Sequence, residues 1–216
     1  MSESHYFNPV TKFVAMLLYL VFAPTLMAQD WGLKAGLSVS DQTYDYSVAG
    51  LNVDRLNQSG MAAGIFINLN FSPLTSVRFG VDYIQKGSAI EADLTTPQSP
   101  TVIGTIRFED RVEYLSFNLL ATPALIKVPP ISPYLIIGPR VDVLISSNTY
   151  IETLSSENLK SSIIGASVGV GFKFSIAPAS SLFLEAVYQP DFSDTFKIST
   201  LTIKNKSFLI SAGLMF

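Results

Sequence analysis

The chain of 216 residues contains no cysteine. Disulfides, thiolate nucleophiles and Cys-ligated metal sites are excluded. A lipid-modified N-terminal cysteine is excluded too, so any attachment to a membrane must come from the fold. Histidine is nearly absent: the single one, His5, lies in the first few residues. Charge is scarce as well, at 14% of residues, against roughly 25% in an average soluble domain. The net charge of −3 offers no electrostatic case for nucleic acid. Long hydrophobic runs are missing. The longest, residues 13–23, falls short of the about 20 apolar residues that a membrane-spanning helix needs. Lys12 precedes that run, and Pro24 to Ala28 follow it. The arrangement predicts a secretory signal over residues 1–28, cleaved after Ala28, and a single domain over residues 29–216.

What the chain does have is apolar residues, 48% of the total, laid out with a period of two. At the C-terminal end, Phe208, Ile210, Ala212, Leu214 and Phe216 alternate with Leu209, Ser211, Gly213 and Met215. Successive side chains of a strand point to opposite faces, so one face here is wholly apolar. Seven further segments repeat the pattern, over residues 31–39, 63–71, 77–83, 115–121, 135–145, 164–174 and 182–188. The alternate face carries Gly, Ser, Asn and a few charges, small enough to fill the interior of a narrow barrel. Eight strands, an even and minimal number, predict an all-β, eight-stranded antiparallel up-and-down transmembrane barrel with lipid on the apolar face. A lipocalin-like soluble barrel, apolar inside, is the alternative. It would leave the small residues of the last strand facing water.

Connection lengths favour the membrane barrel. The links over residues 72–76, 122–133 and 175–181 are short, and those over 40–60, 87–112, 146–162 and 189–205 are long. Outer-membrane barrels alternate short periplasmic turns with long outer loops in this way. Trp31, Phe71, Phe174 and Phe216 then fall at the periplasmic strand ends on the lipid face, as half of an aromatic girdle. Tyr83 and Tyr188 are the candidates for the outer half. Pro139 breaks the rule against proline in a central strand, and the adjacent Gly138 predicts a bulge.

Strand phase sends Lys34, Arg78, Asp82, Arg140, Asp142, Lys173 and Glu185 into the lumen. Four bases and three acids predict a nearly neutral internal charge network that plugs and stiffens the barrel, with Glu185 meeting Arg140 or Lys173. The functional alternative is a narrow polar path; wide water-filled pores take about 16–18 strands. Carboxylate pairs such as Asp191/Asp194 are expected to be solvated loop charges. Asp41, Asp45 and Asp54 show no calcium-loop pattern. With the one imidazole inside the expected signal, His-dependent catalysis is closed to residues 29–216, and the chain is expected not to be an enzyme and to need no cofactor or metal.

Several short pieces carry a family resemblance. They are the runs starting at Trp31 (WGLKAGL), Val81 (VDYIQKG), Tyr114 (YLSF), Pro133 (PYLIIGP) and Leu184 (LEAVY), together with the terminal Phe216. In order and spacing they resemble the PorT-like outer-membrane β-barrel proteins over most of residues 29–216. The resemblance implies an eight-stranded outer-membrane barrel and no agreed catalytic residues. It also implies a possible link to type IX protein secretion, in which the best-known member takes part. Asn118 departs from the family where a proline is common, and Val187 departs where a base often follows the strand-seven glutamate. The expected role is that of a membrane anchor, scaffold or surface-interaction module, with a narrow channel or transporter as the alternative. Expected partners are outer-membrane lipid and lipopolysaccharide, the barrel-assembly machinery through the C-terminal strand, and a protein bound by the outer loops.

Overall fold

A computed structural model of the chain describes residues 29–46, 56–96, 99–126, 130–148, 160–194 and 201–216. The expected signal, residues 1–28, lies outside them. Eight strands form: β1 Gln29–Tyr46, β2 Leu56–Asn70, β3 Thr75–Thr96, β4 Ser99–Pro123, β5 Ile131–Asn148, β6 Ser162–Ala177, β7 Ser180–Pro190 and β8 Leu201–Met215. Each pairs antiparallel with its sequence neighbour, and β8 pairs with β1 to close the barrel. Closure satisfies the backbone of both edge strands, which an apolar surrounding requires. At the seam Trp31 and Phe216 exchange two backbone hydrogen bonds, of 3.0 and 2.8 Å.

The alternation decides which way each strand faces. Ile65, Phe79, Phe117, Ile137, Ile164, Leu184 and Ile210 are all exposed on the outer wall, whereas Phe66, Arg78, Ser116, Arg140, Ser167, Glu185 and Leu209 are buried inside. A soluble protein buries its large apolar side chains; here the charged ones are buried and the apolar ones face out. That inversion suits a hydrocarbon surrounding.

One end of the barrel carries tight connections. Pro178 and Ala179 alone join β6 to β7. Between β2 and β3, the Ser72 hydroxyl accepts the backbone N–H groups of Leu74 and Thr75 at 3.2 and 3.0 Å, the local cap by which serine favours turns. The proline-rich connection runs from Ala124 to Pro130, held by a bridge between Ala124 and Tyr134. We call this the turn end.

The opposite end departs from expectation. The segment 87–112, expected as a long loop, continues β3 and β4 as a paired ribbon, with only residues 97–98 between them. The ladder runs on to Thr96↔Ser99. Among the described residues, β2 stops pairing with β3 at Leu56↔Ala89, and β5 stops pairing with β4 at Arg111↔Asn148. The seven residues beyond Ala89 correspond to roughly 20 Å of strand. This is the ribbon end.

The expected bulge at Gly138–Pro139 is also corrected. Pairing of β5 with β6 runs unbroken through Pro139↔Ala166. Against β4 the register is the same on both sides, Asn118↔Arg140 and Ala121↔Ile137, with two rungs absent between them. Proline removes a donor, and the ladder opens locally without inserting a residue. The true bulge of this pair lies nearer the ribbon end, between Glu113 and Tyr114.

Candidate functional site

The interior holds two clusters of buried charge. In the one nearer the turn end, Lys34 Nζ stands 2.9 Å from Asp82 Oδ2, and Arg78 pairs with Glu185. Neutral side chains supply further hydrogen bonds. Asn68 accepts from Arg78 Nε at 3.0 Å, Tyr134 donates to Glu185 at 2.6 Å, and Asn118 donates to Asp82 at 2.9 Å. The Arg78 guanidinium also lies over the Phe66 ring, 4.1 Å from its centroid, with Phe183 at 5.7 Å and Tyr134 at 5.9 Å. Such cation–π contacts stabilise a desolvated guanidinium.

Two glycines make this cluster possible. A Cβ at Gly171 would run into the Tyr134 ring, and one at Gly64 would run into the Asp82 carboxylate. The small residues of the lumen face are where large polar side chains from other strands lie flat.

The second cluster is nearer the ribbon end. Lys86 Nζ bridges Asp142 at 2.7 Å and Asp191 at 3.3 Å. Arg140 pairs with the same two carboxylates. Each cluster contains two bases and two acids, so each is neutral. Removing charge from water is tolerable only with such pairing and hydrogen bonding. On β3, Ile84 lies between Asp82 and Lys86; Val187 and the buried Gln189 lie between Glu185 and Asp191, which sits just beyond β7. Ile84 and Val187 belong to one buried apolar cluster with Leu120, Ile136 and Leu209. Polar side chains run beside it: Asn118 donates to Asp82 at 2.9 Å and to the Ser116 hydroxyl at 3.4 Å. A second group, Val112, Tyr114 and Ile163, packs nearer the ribbon end.

Of the seven residues expected in the lumen, Arg78, Asp82, Arg140, Asp142 and Glu185 are buried there and Lys34 is nearly so. Lys173 sits at the turn-end mouth, its side chain one-third exposed and 3.8 Å from Asp30. Glu185 meets neither Arg140 nor Lys173. Arg140 is occupied by Asp142 and Asp191, and the partner of Glu185 is Arg78 on β3, across the barrel. Asp191 is corrected as well: it is buried, not a solvated loop carboxylate, while Asp194 is half-buried, 3.8 Å from Lys160. Lys86 was overlooked. Extending the β3 phase from Arg78 through Asp82, and the β7 phase from Glu185, places Lys86 and Asp191 inside.

The outer wall has its own pattern. Trp31, Phe71, Phe174 and Phe216 all stand at the turn end, and the rings of Trp31 and Phe216 stack at 4.7 Å. Toward the ribbon end, Tyr83 accepts from Gln85 at 2.9 Å and Tyr188 is exposed. Beyond Phe208 the same face of β8 turns polar, and Lys206 pairs with Asp41 at 3.0 Å. Of the residues weighed for calcium, Asp54 lies outside the described residues. Among those described, no group of acidic or imidazole side chains could hold a metal.

A closed sheet that is apolar outside and charged within defines an integral outer-membrane β-barrel of the eight-stranded class. The chain belongs to the outer membrane protein beta-barrel domain family, whose model matches residues 27–197. No curated protein matches it in sequence. Among solved structures, it is similar to Neisserial surface protein A, with 15% identity, 86% of this chain and 95% of that one covered, and a TM-score of 0.48. It is similar to OprG from Pseudomonas aeruginosa, at 10% identity, 88% and 97% coverage and a TM-score of 0.47. It is also similar to the outer membrane protease OmpT from Escherichia coli, at 12% identity, 87% and 96% coverage and a TM-score of 0.45. This last likeness corrects the expectation of a non-enzyme. The solved barrels that the chain resembles include a protease beside proteins not named as enzymes.

Proposed function

We propose that the protein works through its outside: a sealed barrel that anchors and presents the β3–β4 ribbon and the neighbouring outer connections to a protein partner. The observation that carries this reading is the interior. Two neutral charge clusters are buried among apolar side chains such as Ile84 and Val187, and an ion would have to be desolvated and the charge pairs parted for it to cross. In this reading residues 1–28 direct export and are removed, and the turn end faces the periplasm. Lipopolysaccharide and lipid surround the apolar wall, and β8 with its terminal Phe216 engages the assembly machinery. A PorT-like place in protein secretion is the finer form of the same proposal, supported by the order and spacing of the motifs. Affinity purification from native outer membranes tests it. Intact protein should bring down a partner that a variant with residues 90–109 replaced by a short turn does not. Equal recovery with both would overturn the role given to the ribbon.

A narrow channel is the second reading. It draws on the polar vestibule of about 610 Å³ at the turn end, which leads inward past Lys173 to Arg78. That reading requires the buried charge pairs and the apolar side chains around Ile84 to part.

A further inference from the structure

The turn-end vestibule has a built floor. Its volume of about 610 Å³ lies in the range of small-molecule sites, about 300–1,000 Å³. It runs inward as far as Arg78, which is only 1% exposed. The guanidinium is fixed there: its carbon stands 4.1 Å from the Phe66 ring centroid, Nε donates to Asn68 at 3.0 Å, and Nη1 pairs with Glu185. Neither bond uses Nη2, which carries two N–H donors. Arg78 lines the vestibule, whereas Glu185 and Asp82, the carboxylates of its cluster, do not. The floor thus offers a held, desolvated cation whose counter-charges lie behind it. A group fixed in advance binds without the cost of ordering it.

The wall carries a second base. Lys173 stands 3.8 Å from Asp30, beyond the reach of a good hydrogen bond, and Asp30 already accepts from Asn70 at 3.2 Å. The ammonium is therefore held loosely enough to turn to a closer acceptor. Of the charged side chains that line the vestibule, two are bases and the single acid, Asp30, is committed. That balance selects an oxyanion, for which charge-assisted hydrogen bonds from Arg and Lys are the strong contacts. The remaining polar lining is hydroxyl and amide. Ser132 stands opposite Lys173 in the β5–β6 ladder, and Ser175 follows two residues on. Asn68 has only the Met215 sulfur, a weak acceptor, for its amide donor, at 3.4 Å. Hydroxyls and amides both donate and accept, which suits a body rich in hydroxyl groups. We propose that the vestibule binds a small acidic sugar, with its carboxylate or phosphate between Arg78 and Lys173 and its hydroxyls against Ser132, Ser175 and Asn68. The site stands independently of the role given to the ribbon.

Titration calorimetry of the folded protein in micelles tests this, with heat-dependent gel mobility verifying the fold of each variant. The probes are glucuronic acid and glucose 6-phosphate. Glucose, which lacks the anion, and N-acetylglycine, which lacks the hydroxyls, are the comparisons. At least one acidic sugar should bind saturably, one per barrel, and the tighter of the two identifies the oxyanion. Glucose and N-acetylglycine should each bind at least about tenfold more weakly, the loss expected for a missing charge-assisted contact or its hydroxyl equivalents. Lys173→Met should weaken the acidic sugar by about tenfold as well. Ser132→Trp, which fills the cavity, should abolish binding, and Ser175→Trp does the same duty should Ser132→Trp fail to fold. Lys206→Met, at the outer Asp41 pair, should leave binding unchanged. No saturable heat with either acidic sugar would overturn the proposal, as would binding that survives Lys173→Met or the filled cavity undiminished. Glucose binding as tightly as glucuronic acid would overturn the part given to the two bases. N-acetylglycine binding as tightly would overturn the sugar in favour of a plain carboxylate site.

Discussion

At the scale of single residues, the interior depends on a few side chains that cannot be removed singly. Glu185 is buried and takes both Arg78 and the Tyr134 hydroxyl. Glu185→Ala would strand the Arg78 cation, a loss typically of about 3–5 kcal/mol. Asp194→Ala, at a long, half-buried surface pair, should change stability by no more than about 0.5 kcal/mol. Unfolding in lipid by denaturant compares them, and equal midpoints would remove the case for a structural network. Gly171→Ala tests the same site from the other side. The new methyl would collide with the Tyr134 ring, and overpacking of this kind costs about 1–3 kcal/mol. Pairing Gly171→Ala with Tyr134→Phe should recover little, since the ring itself is the obstacle. These partners were not legible in the sequence. Alternation states which face a charge occupies, but the meeting of Arg78 with Glu185 depends on register and tilt across the barrel. Neither is encoded within one strand.

At the scale of the strand, alternation was a sound guide because the two faces meet different surroundings. Each of the eight segments read from a period of two is a strand with its apolar side out. The same reasoning failed where the surroundings change. Beyond Ala89 and Arg111 the β3–β4 ribbon leaves the apolar wall. There Glu91 and Arg107 are cross-strand partners. Ile90, Ala92 and Leu94 alternate with Glu91, Asp93 and Thr95 in the sequence, a pattern too short and too charged to read as a lipid-facing strand. Pro139 misled for another reason. A missing donor can be absorbed by losing rungs on one side, so a proline in a strand does not require an extra residue. Strand phase makes a direct prediction. Val141 faces outward and Ser167 is fully buried inside. Val141→Arg should destabilise the refolded barrel by about 2–4 kcal/mol if it sits near the bilayer midplane. Ser167→Arg has no room and should impair folding itself. The yield and midpoint of refolding into lipid vesicles distinguish the two outcomes. A harmless Val141→Arg would contradict the phase of β5.

At the scale of the whole molecule, the barrel is an apolar wall with its charged side chains turned inward and the β3–β4 ribbon carried on beyond its flanking strands. Closure between β1 and β8, sealed by Trp31 and Phe216, should make the native form resist detergent. It should migrate differently before and after boiling, and identical mobility would argue against a closed barrel. The central claim is that the interior is sealed: two neutral charge clusters, Lys34–Asp82 with Arg78–Glu185 and Lys86–Arg140 with Asp142–Asp191, are buried with Ile84 and Val187 packed against them. Planar-bilayer recording of the purified wild-type protein measures that claim most directly. The sealed barrel predicts insertion without steady ion conductance, and none in Glu185→Ala either, because the apolar side chains around Ile84 remain. Steady, reproducible conductance by the wild type would contradict it and favour the narrow channel.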